Sequence, residues 1–313
     1  MTDVIAFFPG QGAQQVGMLA DIASDFPQVA ETFSEASDAL GFDLWALTQN
    51  GPDSQLNQTF NTQPALLAAS TALWRIVAAE CPALHVTAAA GHSLGEYSAL
   101  VAADAIDFSD AIRLVRRRGE LMEEAVPAGQ GGMAAVLGLD DEAIQQVCAD
   151  AAAAGVVEPA NFNAPGQIVI AGEVSGIEKA VVLAKEAGAK RALPLAVSGP
   201  FHSSLMKAAA ESFREDLAAI NWRAPAFPVF HNVSNAPATL QEIPERLLAQ
   251  LYSPVNWTGA VPAIRSHAEL AVEFGPGKVI AGLNKRIDKS LAIANTGDAS
   301  SLRNTIDLIQ GVN

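Results

Sequence analysis

The chain has 313 residues, enough for one large domain or two of ordinary size, and half of them are hydrophobic, so it folds into a globular protein. Its formal charge of −15 argues against nucleic acid or an anionic membrane as the partner of the whole molecule. The two cysteines, Cys81 and Cys148, show neither CxxC spacing nor the Cys/His pairing of a zinc site, so no metal is expected and both read as buried thiols in a reducing compartment.

The N-terminal segment lacks a basic stretch and its apolar run is too short for a signal peptide, and no apolar stretch reaches spanning length, so a cytoplasmic address is expected. Residues 4–8 read as a buried strand, stopped by Pro9-Gly10-Gln11-Gly12. A helix follows from about residue 18 and another over about 27–40. Gln63-Pro64 then opens an apolar helical run over 65–79, with proline suited to a first turn.

Residues 85–90 are a short apolar run that fits a buried strand, although their alanines favour helix. They lead into Gly91-His92-Ser93-Leu94-Gly95-Glu96-Tyr97, which has the form of a nucleophile elbow, and a helix over 96–105 follows. Glycines on both sides of Ser93 let the chain turn sharply enough to project the serine, and the next N–H then faces a developing oxyanion. A helix over 109–125 carries Ile112, Val115, Gly119 and Met122 along one side.

From about 131 to 198 the elements follow their own order: strand 133–139, helix 140–154 with an acidic start, strand 156–162, a turn at Asn163-Ala164-Pro165-Gly166, strand 167–171, helix 175–187 and strand 191–197. That β-α-β-β-α-β order is ferredoxin-like. The rest of the chain returns to mixed elements, with strands over 225–233 and 270–274. The expected fold is α/β: a large α/β-hydrolase-like domain over 1–127 and 200–313 with a mostly parallel sheet, and a small ferredoxin-like subdomain inserted over 128–199.

A serine nucleophile needs a base, and five histidines are on offer. His202, in Ser198-Gly199-Pro200-Phe201-His202-Ser203, sits where glycine and proline end a strand and a helix begins, so a rigid loop can hold its ring. His92 adjoins the serine but projects elsewhere at a sharp turn, while His85, His231 and His267 fit structural roles. Most acids between Ser93 and His202 fall on helices or in the insertion, so a Ser-His dyad oriented by a backbone group fits better than a triad. In Arg116-Arg117-Arg118 successive side chains point about 100° apart, so one of them can turn inward as a carboxylate clamp; spacing does not choose which.

The chain resembles the malonyl-CoA:acyl carrier protein transacylases of type II fatty acid synthesis, which are similar to polyketide synthase acyltransferase domains. The resemblance rests on Phe8-Pro9-Gly10-Gln11-Gly12, Thr62-Gln63-Pro64-Ala65, the heptapeptide around Ser93, Arg118-Gly119-Glu120-Leu121-Met122, Asn161-Phe162-Asn163-Ala164-Pro165-Gly166-Gln167, Gly199-Pro200-Phe201-His202-Ser203, Gln250-Leu251-Tyr252-Ser253-Pro254-Val255-Asn256-Trp257 and Glu273-Phe274-Gly275-Pro276-Gly277, in family order across nearly the whole chain. It implies Ser93 as nucleophile, His202 as base oriented by the Gln250 carbonyl, and Gln11 with the Leu94 N–H as oxyanion hole. It further implies Arg118 as clamp for the free carboxylate of malonate, Met122 at the substrate, and Asn163 near the mouth; Gln63 and Asn163 fit turn or cap chemistry equally well. Phe201 before the histidine implies malonyl over methylmalonyl. The reaction implied passes malonyl from malonyl-CoA to the carrier's phosphopantetheine thiol through a serine ester, in ping-pong order, with no cofactor and as a monomer.

Acyl carrier proteins are acidic, as this chain is, so complementarity must be local. Arg116 with Arg117, Lys190 with Arg191, and Lys285 with Arg286 and Lys289 are the candidate basic patches. Two other readings remain: a serine esterase or lipase sharing the elbow, and a catalytically silent carrier-binding scaffold.

Overall fold

A computed structural model of the chain describes residues 1–312 and shows a mixed α/β molecule with two sheets. Its strands are β1 (Thr2–Phe8), β2 (Leu84–Gly91), β3 (Gly131–Leu137), β4 (Val157–Ala164), β5 (Gln167–Glu173), β6 (Arg191–Pro194), β7 (Val229–His231), β8 (Ala236–Pro237), β9 (Val255–Asn256), β10 (Leu270–Glu273) and β11 (Ala292–Asn295). The larger sheet runs β11-β10-β1-β2-β7-β8, parallel except for the edge strand β8. Val4 to Phe8 of β1 are fully buried, as a central strand covered by helices on both faces requires. The alanines of β2 form a strand despite their helical preference. Flanked by β1 and β7, they leave room for helix Gly95–Ala102 to lie directly on the sheet.

The smaller sheet runs β6-β3-β5-β4-β9. Its first four strands alternate with helices Asp141–Ala151, capped by the Asp140 side chain on Ala143 N–H, and Val174–Glu186, in the order expected from the sequence. Both helices share a core with the sheet that includes Ile144, Val147, Ile168, Ile170 and Ile177. The fifth strand, β9, comes from the distant C-terminal segment and pairs parallel with β4 at Asn161 and Phe162. This pairing ties the smaller sheet to the larger unit.

Several expectations need correction. Helix Thr59–Glu80 starts well before Pro64, which lies inside it rather than in its first turn. Proline there has no N–H for the Phe60 carbonyl, and the Arg116 guanidinium donates to that carbonyl at 3.4 Å instead. The helix expected from residue 18 is only Ala20–Ala23, and the strand expected over 225–233 is only Val229–His231. β6 stops at Pro194; Leu195 keeps one backbone bond to Met133 and, with Val197, lines a cleft. The short strands β8, β9 and β11 carry too few residues to show a period. Among the described residues no helix is long and apolar enough to cross a membrane.

The close approach that shapes the site is at Gly95, where a Cβ would lie 2.1 Å from the Phe8 carbonyl oxygen. Gly95→Ala is therefore expected to destabilise the chain by about 1–3 kcal/mol. A shift of the urea midpoint at unchanged slope would register it, and an unmoved midpoint would contradict this packing.

Candidate active site

The carboxyl ends of the parallel strands converge on one cleft, as in other open α/β sheets. β1 delivers Gln11, β2 delivers Ser93 and β7 delivers Asn232. At the elbow Ser93 has φ +51°, a left-handed conformation rare for residues other than glycine, so the turn is strained and must be held. Asn232 holds it from both sides, accepting from Ser93 N–H at 2.8 Å and donating to the Gly91 carbonyl at 2.7 Å.

Ser93 Oγ lies 2.8 Å from His202 Nε2, and His202 Nδ1 lies 2.9 Å from the Gln250 backbone carbonyl. A carbonyl can only accept, so Nδ1 carries the proton and Nε2 presents its lone pair to the serine hydroxyl. His202 also has positive φ, +61°, and its own N–H donates to the Leu251 carbonyl. Burial, reinforced by the Arg118 charge, pushes its pKa down to about 3. Among the described residues no carboxylate touches His202.

Arg118 is the arginine of the triplet that turns inward, with 1 % of its surface exposed. Its Nη1 donates to Gln63 Oε1 at 2.9 Å, and its Nη2 donates to Gln250 Oε1 at 2.8 Å and to Ser93 Oγ at 3.2 Å. Nε has no acceptor, and no carboxylate pairs with the guanidinium, among the described residues. Its helix, Phe108–Glu124, comes close because Gly119 packs on the Phe60 backbone, where a Cβ would lie 2.5 Å from Phe60 Cα. Arg116 and Arg117 instead pair with Glu120, and Arg117 also approaches Asp216.

The cleft encloses about 180 Å³, lined among others by Gln11, Leu94, Met122, Asn163 and Phe201. Leu94 sits at the start of helix Gly95–Ala102, and neither its N–H nor that of Gln11 has an acceptor among the described residues. Gln63 Nε2 approaches Met122 Sδ at 3.6 Å. Asn163 Oδ1 meets His92 Nε2 at 2.8 Å, joining β4 to the elbow. All the site residues expected from the sequence thus meet around this cleft, whereas His85, His231 and His267 lie elsewhere, against Asp3, Glu96 and the Phe230 ring.

Sequence reasoning missed Asn232 and the inward role of Glu96. The one available signal for Asn232 is its place at the end of a parallel strand. Of the basic clusters, Lys190 and Arg191 meet Arg286, but not Lys285 or Lys289, in a single hollow beside Asp140, Pro165 and Gly166.

A family model described as "Acyl transferase domain" matches residues 6–277. The malonyl CoA-acyl carrier protein transacylase of Salmonella typhimurium is 52 % identical over 307 residues, covering 96 % of this chain and 98 % of that protein. That of Escherichia coli K12 is 51 % identical over 313 residues, covering 98 % and 100 %. A crystal structure of an acyl carrier protein S-malonyltransferase from Vibrio cholerae superposes with a TM-score of 0.92 at 54 % identity, covering 97 % of this chain and 100 % of that one. A type II PKS acyl-carrier protein in complex with its malonyl-transacylase gives 0.95 at 50 %, covering 98 % and 100 %.

With His202 deprotonated down to about pH 3, modification of Ser93 by a neutral serine-directed reagent is expected to keep its rate from pH 8 to pH 5. A fall with a midpoint near 6.5 would show an ordinary imidazole. The unfolded chain takes up this proton near pH 6.5, so the associated stability is complete above 6.5 and is lost as pH falls from there towards 3.

Proposed function

The chain belongs to the acyl transferase family, and on that premise we propose that it transfers malonyl from malonyl-CoA to acyl carrier protein in fatty acid synthesis, by a ping-pong route through an ester on Ser93. The observation that carries this reading is the buried, acid-free Arg118 guanidinium in contact with the nucleophile. A lipase or esterase pocket has no use for such a cation, whereas an acyl group ending in a carboxylate supplies the missing counter-charge.

His202 Nε2 takes the proton from Ser93 Oγ as the oxygen attacks the thioester carbonyl. The tetrahedral oxyanion is received by the free N–H of Leu94 and by Gln11. Collapse expels the CoA thiolate, which takes the proton from His202, and leaves malonyl on Ser93 with its carboxylate on Arg118. The carrier's phosphopantetheine thiol enters next. His202 accepts its proton, the sulfur attacks the ester, and the proton returns to Ser93 Oγ as the malonyl thioester leaves. Both halves pass their protons through His202 alone and call on no cofactor. Phe201, buried at the acyl end, restricts room for a 2-methyl group and favours malonyl over methylmalonyl.

The larger unit is read as α/β-hydrolase-like over 1–127 and 200–313, and the smaller as a ferredoxin-like insertion over 128–199 whose Asn163 and Met133 close the cleft. A cytoplasmic monomer fits this role. The surface formed by Lys190, Arg191 and Arg286 is the one we assign to the acidic carrier, because Arg116 and Arg117 are already matched by their own acids.

Intact-mass measurement after mixing with malonyl-CoA is expected to show a malonyl adduct that Ser93→Ala lacks; hydrolysis of simple esters without an adduct would favour an esterase. Reversal of charge at Lys190, Arg191 or Arg286 is expected to raise the KM for the carrier more than that for malonyl-CoA. Equal effects on both, or none, would remove this surface from docking.

A further inference from the structure

One buried residue touches both members of the dyad and the clamp, through its backbone and its side chain. Gln250 is fully buried, and its backbone carbonyl orients His202. Its side-chain Oε1 accepts from Arg118 Nη2 at 2.8 Å, while its Nε2 donates to Glu96 Oε2 at 2.8 Å and to the Ser93 carbonyl at 3.0 Å. Those partners admit a single orientation of the amide. Turned over, it would set an NH2 against the donors of Arg118 and a carbonyl oxygen against both the Glu96 carboxylate and the Ser93 carbonyl.

Glu96 is itself fixed. It is fully buried, and it accepts from His231 Nδ1 at 2.6 Å and from Asn232 N–H at 2.9 Å as well as from Gln250. A buried cation and a buried anion therefore face each other across one amide instead of pairing directly. The separation matters chemically. A carboxylate in direct contact would occupy the guanidinium that has to receive the substrate's charge, whereas the neutral Gln250 oxygen holds one of its nitrogens in place without neutralising it.

We infer that the Gln250 side chain, locked in orientation by Glu96, is the device that positions Arg118, and that Glu96 and Gln250 are thereby positioning residues that set the preference for acyl groups bearing a free carboxylate. The inference rests on the transacylase reading above and names residues that act on the same site without touching substrate. Loss of the amide frees the guanidinium to swing from the acyl end of the cleft, which weakens attack on a carboxylated thioester more than on an uncharged one.

The test compares Ser93 acylation by malonyl-CoA and by acetyl-CoA, followed by intact mass at subsaturating thioester, in the full chain and in Gln250→Met, Glu96→Ala and the double variant. Each single variant is expected to lower the malonyl-to-acetyl ratio of kcat/KM at least tenfold, and the double variant no more than twofold beyond the more affected single. If Glu96→Ala does not accumulate folded, Glu96→Asp, whose shorter arm withdraws from Gln250, takes its place. Malonyl and acetyl rates falling by the same factor in Gln250→Met would show a merely structural residue, and a ratio that ignores the change at Glu96 would remove Glu96; either result overturns the inference. Failure of the unsubstituted chain to form any malonyl adduct would instead bring down the transacylase reading on which it rests.

Discussion

An arginine cation buried beside Ser93, with no acid in contact, is the constraint around which the site is organised. Removing a charge from water costs several kcal/mol unless hydrogen bonds and an opposite charge replace the hydration. Arg118 donates hydrogen bonds to Gln63, Gln250 and Ser93, and Tyr97 presents its ring face at 5.4 Å. The opposite charge within the protein stays one amide away at Glu96. The cation also governs its neighbour, since its field helps keep His202 neutral and so able to take a proton.

Such a site functions only if its parts are held rigidly, and two strained backbone positions show where rigidity is needed. Ser93 and His202 both have left-handed φ, and each is fastened by hydrogen bonds to a different element: Ser93 to Asn232 after β7, His202 to the end of helix Ile243–Tyr252. The smaller sheet is anchored to the same place by the β4–β9 pairing and by Asn163 on His92. Met133, Asn161, Asn163 and Val169 of that sheet therefore line the same cleft as Ser93.

The elbow and the βαββαβ block were legible because both depend on local signals: paired glycines around Ser93, and alternating periods between clear turns. Arg118 could not be separated from Arg116 and Arg117 by spacing, because the choice depends on where Gly119 lets two helices touch; only resemblance to a family singled it out. Pro64 misled for a related reason, since a distant arginine satisfies the carbonyl that the proline leaves free. The Glu96, His231, Asn232 and Gln250 network joins residues more than a hundred positions apart, and no periodicity carries that information. The same holds for β9, a two-residue strand defined entirely by its partner.

On the proposed transacylase reading, Ser93 carries malonyl between two thiols while Arg118 holds the acyl carboxylate. The most direct test isolates the malonylated chain free of CoA and mixes it with phosphopantetheinylated acyl carrier protein. Stoichiometric appearance of malonyl on the carrier, faster than release of free malonate from the same preparation without carrier, is the predicted result. Release of malonate at the same rate with and without the carrier, leaving the carrier unmodified, would contradict it.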